Sequence, residues 1–176
     1  TSEPIDPVRT ISNRASGRTG RAVAAGCYAR GADVVLVHDG PDVPYATVEQ
    51  VGSAQEMLDG VLDHADGADA LVSAAAISDY TLAPSDEKIR SGQELTLELE
   101  PTPKIIDSVR DAYPDLTIVG FKLETEGDDQ TLVAKAREQL ERTDLAFVVA
   151  NRAEVMGQED TRVLFVSDDT VTKFRG

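Results

Sequence analysis

The sequence has no tryptophan, only four phenylalanines and a single cysteine, Cys27. One thiol excludes an intrachain disulfide and any cysteine-rich metal cluster. Its setting, Ala-Gly-Cys-Tyr-Ala, reads as a small buried helix residue. Two histidines, His38 and His64, are too few and too far apart for a His-rich metal site. Positive charge is also scarce. Five lysines and twelve arginines face 19 Asp and 13 Glu, for a net charge of −15. Such a surface repels nucleic acid and anionic membranes, because phosphate contacts need clustered positive charge. No apolar run reaches membrane-spanning length and no signal peptide opens the chain, so a reducing cytoplasm is the expected compartment. Few lysines among many aspartates point to a high-salt cytoplasm, where screening removes self-repulsion. A plain solubility role for the acidic face is the competing reading.

What the chain does have is enough apolar material for a globule. Of its 176 residues 41% are hydrophobic, mostly Val, Leu, Ile and Ala, and the length suits one domain spanning residues 1–176. Four short apolar runs, residues 33–38, 68–76, 116–121 and 145–150, read as strands buried on both faces. Between them lie helical periods. Ala54, Met57, Leu58, Val61, Leu62 and Ala65 form one stripe, with Ser53 and Glu56 spaced as a capping box. Ile105, Ile106 and Val109 mark a second helix, with Pro103 expected in its first turn. Leu132, Val133, Ala136 and Leu140 mark a third. An earlier helix runs from near Gly17 to Gly31, a suitable C′ glycine. The alternation predicts an α/β fold: a Rossmann-like, doubly wound, mostly parallel sheet with flanking helices.

Some segments stand outside the alternation. Residues 80–92 are polar and read as a long functional loop. Residues 95–100, Leu-Thr-Leu-Glu-Leu-Glu, alternate as a half-exposed strand should, and residues 162–174 read as a hairpin turning at Asp168-Asp169. The opening Thr-Ser-Glu-Pro-Ile-Asp-Pro-Val-Arg-Thr-Ile-Ser-Asn reads as loop, with no strand to feed the first helix. The expectation is therefore that the first strand is missing and that the natural chain begins earlier.

Ser16 and Gly17 open the first helix, where free N–H groups and the positive end of the dipole favour a phosphate. A nicotinamide-dependent reductase is poorly supported. No Gly-x-Gly occurs, and no tyrosine is followed four residues later by lysine. No Walker-type Gly-Lys-Ser/Thr loop occurs either. A noncatalytic Rossmann-like nucleotide-binding module is the other alternative to an enzyme.

Five motifs, in order along nearly the whole chain, resemble those of the phosphopantothenate–cysteine ligases. Residues 3–17, Glu-Pro-Ile-Asp-Pro-Val-Arg-Thr-Ile-Ser-Asn-Arg-Ala-Ser-Gly, are the longest and most specific. Ala74 to Tyr80, Lys88-Ile89-Arg90, Val119 to Thr125 and Val148 to Asn151 follow. The resemblance implies a ligase of coenzyme A biosynthesis. The carboxylate of 4′-phosphopantothenate would attack the α-phosphate of CTP, with Mg2+, and the cysteine amine would then take the acyl group.

The resemblance also implies residue roles. Asn13 would sit at the acyl group and Lys88 at the α-phosphate. Arg9 would touch phosphopantothenate or a neighbouring subunit. Asp79 would bind the ribose or, through the metal, the phosphates. Ser16, Gly17, Ala75, Gly120, Phe121 and Lys122 would complete the nucleotide site. It further implies a homodimer, and an upstream flavin-dependent decarboxylase domain, with FMN only if that domain is present. The chain departs from the family pattern at Ser2, often arginine, and at Arg90 and Ser91, where further lysines are usual. Phe121-Lys122-Leu123-Glu124-Thr125 resembles the ATP-using eukaryotic branch, whereas the front half resembles bacterial members. The choice of CTP or ATP is therefore left open.

Overall fold

The structure is a computed structural model and describes residues 1–152 and 162–175. In chain order the elements are β1 (Ser2–Asp6), β2 (Arg9–Ser12), α1 (Arg18–Tyr28), β3 (Val35–His38), β4 (Thr47–Gln50), α2 (Ala54–Ala65) and β5 (Ala70–Ser73). Then come β6 (Tyr80–Thr81), β7 (Glu100–Pro101), α3 (Ile105–Ala112), β8 (Thr117–Glu124), α4 (Asp129–Thr143), β9 (Phe147–Arg152), β10 (Arg162–Val166) and β11 (Val171–Arg175). The fold is α/β and Rossmann-like. Two compact units divide it, Thr1–Asp66 with Ala75–Ser108, and Gly67–Ala74 with Val109–Gly176.

The second unit holds a five-stranded sheet in the order β11-β10-β9-β8-β5. β5, β8 and β9 run parallel, while β10 pairs antiparallel with both β9 and β11, so the sheet is mixed. Its central strands bury Ile118, Val119, Val148, Val149 and Ala150. The inner face of α4 adds Leu132, Ala136 and Leu140. Burial on both faces holds for β8 and β9 but not for β5, where Val72 is 36% exposed, because β5 is an edge strand. The β10–β11 hairpin turns at Asp168-Asp169 as expected, closed by Ser167 N–H donating to the Thr170 carbonyl.

In the first unit β3 pairs in parallel with β4, its one strand neighbour among the described residues, and Val35 is 45% exposed, so the expected two-sided burial fails here too. α2 begins where the capping box places it: the Ser53 hydroxyl accepts from Glu56 N–H, and the Glu56 carboxylate accepts from Ser53 N–H. Hydrogen bonds from the Gly52 and Ser53 amides outweigh the smaller cost of burial and lower the Glu56 pKa. α1 is capped by Gly17 at φ 66°, and Gly31, at φ 89°, follows its end. Cys27 is half-buried, not buried, because α1 buries only Ala24 among its residues.

Three expectations need correction. The opening segment is a β-hairpin, not a loop, with Ser2 opposite Ser12 and Asp6 opposite Arg9. Pro4 and Pro7 disguised it; a two-stranded ribbon tolerates proline where the missing N–H faces outward. The strand expected over 95–100 forms only at its last residue: among the described residues the ladder there is limited to Tyr80–Thr81 with Glu100–Pro101. Alternation supplies an amphipathic face but no partner. Finally, α3 starts at Ile105, beyond Pro103. Thr102 N–H donates to the Asp79 carbonyl, which holds the preceding backbone extended.

Candidate active site

Most of the residues singled out in the sequence lie in the first unit, along the β1–β2 hairpin and the segments attached to it. The strand pair delivers Asn13 immediately after β2, where its Nδ2 donates to the Ala76 carbonyl at 3.0 Å. The main-chain nitrogen of Thr1 donates to the same carbonyl at 2.9 Å. The Thr1 hydroxyl accepts from Ser78 N–H at 2.9 Å, and the Ser78 carbonyl accepts from the Thr102 hydroxyl at 2.5 Å. The run Ala75 to Asp79 is thus pinned from both sides while Ala75, Ala76 and Asp79 stay exposed. A pinned, exposed backbone segment can present amide groups to a ligand at no further ordering cost.

Asp79 is the exposed end of this segment. Its carboxylate accepts from Lys104 Nζ at 2.7 Å. Lys104 escaped the sequence reading; the signal available was only its rarity, as one of five lysines. Ser16 and Gly17 lie at the start of α1, whose N-cap has no side-chain hydrogen bond and whose first turn has no acidic residue. Only glycine takes the left-handed N-cap conformation cheaply, and the result is an exposed, unneutralised helix start. Arg21 folds back over it, donating to the Ser16 carbonyl at 3.0 Å.

The loop after β6 is less free than its composition suggests. Ser85 N–H donates to the Ile5 carbonyl at 2.9 Å. The side chain of Asp6 is fully buried and accepts from Val8 N–H at 2.9 Å, from Ile89 N–H at 3.1 Å, and from Arg9 in an ion pair. Burial raises the Asp6 pKa, but the two amides and the guanidinium together outweigh it and hold it below the ordinary 3.8. Arg9 also donates to the Ile89 carbonyl at 3.1 Å. Lys88 is exposed on this loop, one residue before that attachment.

A second buried acid, Glu3, is 1% exposed. One oxygen accepts from Ala54 N–H at the start of α2, and the other from the Thr81 hydroxyl, both at 2.9 Å. Neither Glu3 nor Asp6 was singled out from the sequence, because nothing in a string marks an acid as buried.

Gly120, Phe121 and Lys122 lie on β8 in the second unit. Gly120 is buried, Phe121 is half-buried, and Lys122 pairs with Glu124 at 3.2 Å. The Glu124 pKa is lowered chiefly by its hydrogen bond from Lys135, with burial opposing and Lys122 assisting. A Cβ on Gly120 would stand 2.7 Å from Leu145 Cδ1 and 3.2 Å from Gln139 Nε2. Leu145 is itself buried, so Gly120→Ala is expected to cost about 1–3 kcal/mol through overpacking. A thermal melt checks this; a midpoint equal to that of the parent would mean the neighbours yield freely.

Among the described residues, no three His, Cys, Asp or Glu side chains converge as a metal cage, and no helix is long and apolar enough to cross a membrane.

Residues 1–175 match the family described as the DNA/pantothenate metabolism flavoprotein C-terminal domain. The chain is 42% identical over 178 residues to the coenzyme A biosynthesis bifunctional protein CoaBC of Thermococcus kodakarensis, covering 98% of this chain and 44% of that protein. It is 35% identical over 180 residues to the protein of the same name from Methanocaldococcus jannaschii, covering 100% and 45%. The chain therefore spans about half the length of these curated relatives. A crystal structure of the C-terminal domain of a CoaBC bifunctional protein superposes with a TM-score of 0.80 at 28% identity, covering 99% of this chain and 81% of that one.

Proposed function

We propose that this chain, which belongs to the DNA/pantothenate metabolism flavoprotein C-terminal domain family, joins 4′-phosphopantothenate to cysteine through an acyl-nucleotide in coenzyme A biosynthesis. A carboxylate is inert to amines until it carries a leaving group. In the first step its oxygen attacks the α-phosphate of a nucleoside triphosphate and pyrophosphate leaves. In the second the cysteine amine attacks the acyl carbon, loses a proton, and expels the nucleoside monophosphate. Charge grows first on the α-phosphate oxygens and then on the acyl oxygen, so donors aimed at those atoms supply the largest catalytic effect.

The observation that carries this reading is the arrangement in the first unit. One hairpin holds Asn13 against the exposed Ala75–Asp79 segment and, through Asp6 and Arg9, anchors the loop bearing Lys88. Lys88 serves the α-phosphate. Asn13 faces the acyl group as a neutral amide that traps no charge. Ser16 and Gly17 take phosphate oxygens at the start of α1. Arg9 reaches phosphopantothenate from its place beside Asp6. Ala75 offers backbone groups to the nucleotide.

Magnesium would travel on the triphosphate, with most of its ligands from water and phosphate, and Asp79 would serve the ribose or, through the metal, the phosphates. Bound there, it would neutralise the phosphates. CTP is the nucleotide assigned, with ATP the competitor suggested by residues 121–125. The test is release of CMP or AMP from a mixture of both triphosphates with phosphopantothenate and cysteine. Substrate-dependent CMP supports the assignment, AMP moves it to ATP, and neither removes the ligase reading.

The working form is a homodimer. Leu95 and Leu99, 52% and 47% exposed on a segment with no ladder partner among the described residues, suit a contact with a second copy. The setting is a cytoplasm rich in salt. At about 0.01 M salt the screening length is roughly 30 Å, and at about 1 M roughly 3 Å. Self-repulsion of a −15 chain therefore fades across that range. The melting temperature and turnover are expected to rise between about 0.05 M and about 3 M KCl; a flat or falling melting temperature would leave acidity as a solubility feature.

A further inference from the structure

Lys88 sits on a long polar loop, and a lysine there would ordinarily sample many positions. The backbone one residue on is not free to do so. Ile89 is gripped at both of its peptide groups: its N–H donates to Asp6 at 3.1 Å and its carbonyl accepts from Arg9 at 3.1 Å. Asp6 and Arg9 are themselves ion-paired, and Asp6 is locked from behind by Val8 N–H. The hairpin pairs Asp6 with Arg9 across its tip, so the two side chains share one short rigid support. The grip uses charged partners on a neutral peptide, which makes each bond stronger than an ordinary loop contact. It touches main chain only, so it fixes where the loop stands without depending on the side chain at 89.

We propose that Asp6 is a positioning residue that sets the place of Lys88, acting through the backbone of Ile89. Asp6 is fully buried at the side chain, so its effect on chemistry passes through what it holds: the loop at Ile89, and Arg9 beside it. Arg9 gains a second duty here: besides its proposed contact with substrate it closes the grip. The inference rests on the ligase reading given above. A charge donor displaced by about 1 Å costs on the order of 100-fold in rate. Partial loosening costs less, and a loss of about 10-fold in kcat is expected for Asp6→Asn. Asparagine keeps one acceptor oxygen but turns an N–H donor toward the donors of Arg9 and Ile89.

Three measurements on the full-length protein decide the matter. First, Asp6→Asn should lower kcat for nucleoside monophosphate release while the KM for triphosphate changes little. Second, in a Lys88→Gln background the same substitution should change kcat by less than about 2-fold, because the two residues act as one unit. Third, amide exchange at Ile89 should quicken by about 10-fold or more, while Leu58 in α2 keeps its protection. Should Asp6→Asn fail to fold, Ile89→Pro keeps the Asp6–Arg9 pair and removes the N–H donated to it, and its loss should likewise vanish in the Lys88→Gln background.

Equal, multiplying losses in both backgrounds would overturn the proposal, as would unchanged exchange at Ile89. The exchange arm needs no catalysis. A protein with no ligase activity but with Ile89 released by Asp6→Asn would refute the ligase reading and leave the anchor standing.

Discussion

Lys88→Gln is expected to slow formation of the acyl-nucleotide by about 100-fold or more, the loss typical of removing one donor from a developing oxyanion. Triphosphate binding should weaken far less, because the ground-state α-phosphate has gained no new charge. The acidity of the chain sharpens the expectation. In a chain of 32 acidic residues and five lysines, an exposed lysine on an anchored loop is a costly charge to replace. Glutamine keeps an N–H donor, one bond nearer the backbone, but removes the unit charge, so the comparison reads chiefly electrostatics. Single-turnover measurement without cysteine reads this step alone. An unchanged rate would transfer the role to Arg90, Lys104 or Lys122.

Asn13→Asp is expected to stall the second step instead. With cysteine present, acyl-nucleotide should accumulate to a level the parent enzyme never shows, and the steady-state rate should fall by a factor of order 100 or more. The reason is again charge. The acyl oxygen becomes an oxyanion as the amine attacks, and a carboxylate at position 13 opposes it. The substitution also deprives the Ala76 carbonyl of a donor 3.0 Å away. Asn13→Ala removes that donor too but adds no charge, so it should slow the second step less than Asp does. Loss of triphosphate binding without any acyl-nucleotide would show that Asn13 serves the nucleotide and not the acyl group.

The fold was legible where local chemistry and burial agreed. The Ser53–Glu56 capping box and the apolar stripe of α2 needed nothing beyond their own turn. The runs of β8 and β9 were buried because each has a strand on both sides. Legibility failed where the outcome depends on a partner distant in sequence. Ile11 and Glu3 pair across a hairpin whose prolines read as loop. Leu95, Leu97 and Leu99 alternate faithfully but find no ladder among the described residues.

For the site, the motifs pointed to Arg9, Asn13, Asp79 and Lys88, all of which lie in the first unit, and to Gly120, Phe121 and Lys122, which lie in the second. The sequence did not reveal the supports. Asp6 meets Ile89 across 83 positions and Glu3 meets Thr81 across 78, and no spacing rule reaches so far. Their burial, which makes them structural anchors, exists only once the chain has folded.

The most direct test of the account follows an oxygen atom. 4′-Phosphopantothenate carrying 18O in its carboxylate is incubated with the full-length protein, CTP and cysteine. If the carboxylate attacks the α-phosphate, one labelled oxygen becomes the bridge of the acyl-nucleotide and leaves on the nucleoside monophosphate. The account predicts 4′-phosphopantothenoylcysteine with labelled CMP, or labelled AMP where ATP is the substrate. Product formed with label in inorganic phosphate and an unlabelled nucleoside diphosphate would contradict it, as would the absence of any condensed product.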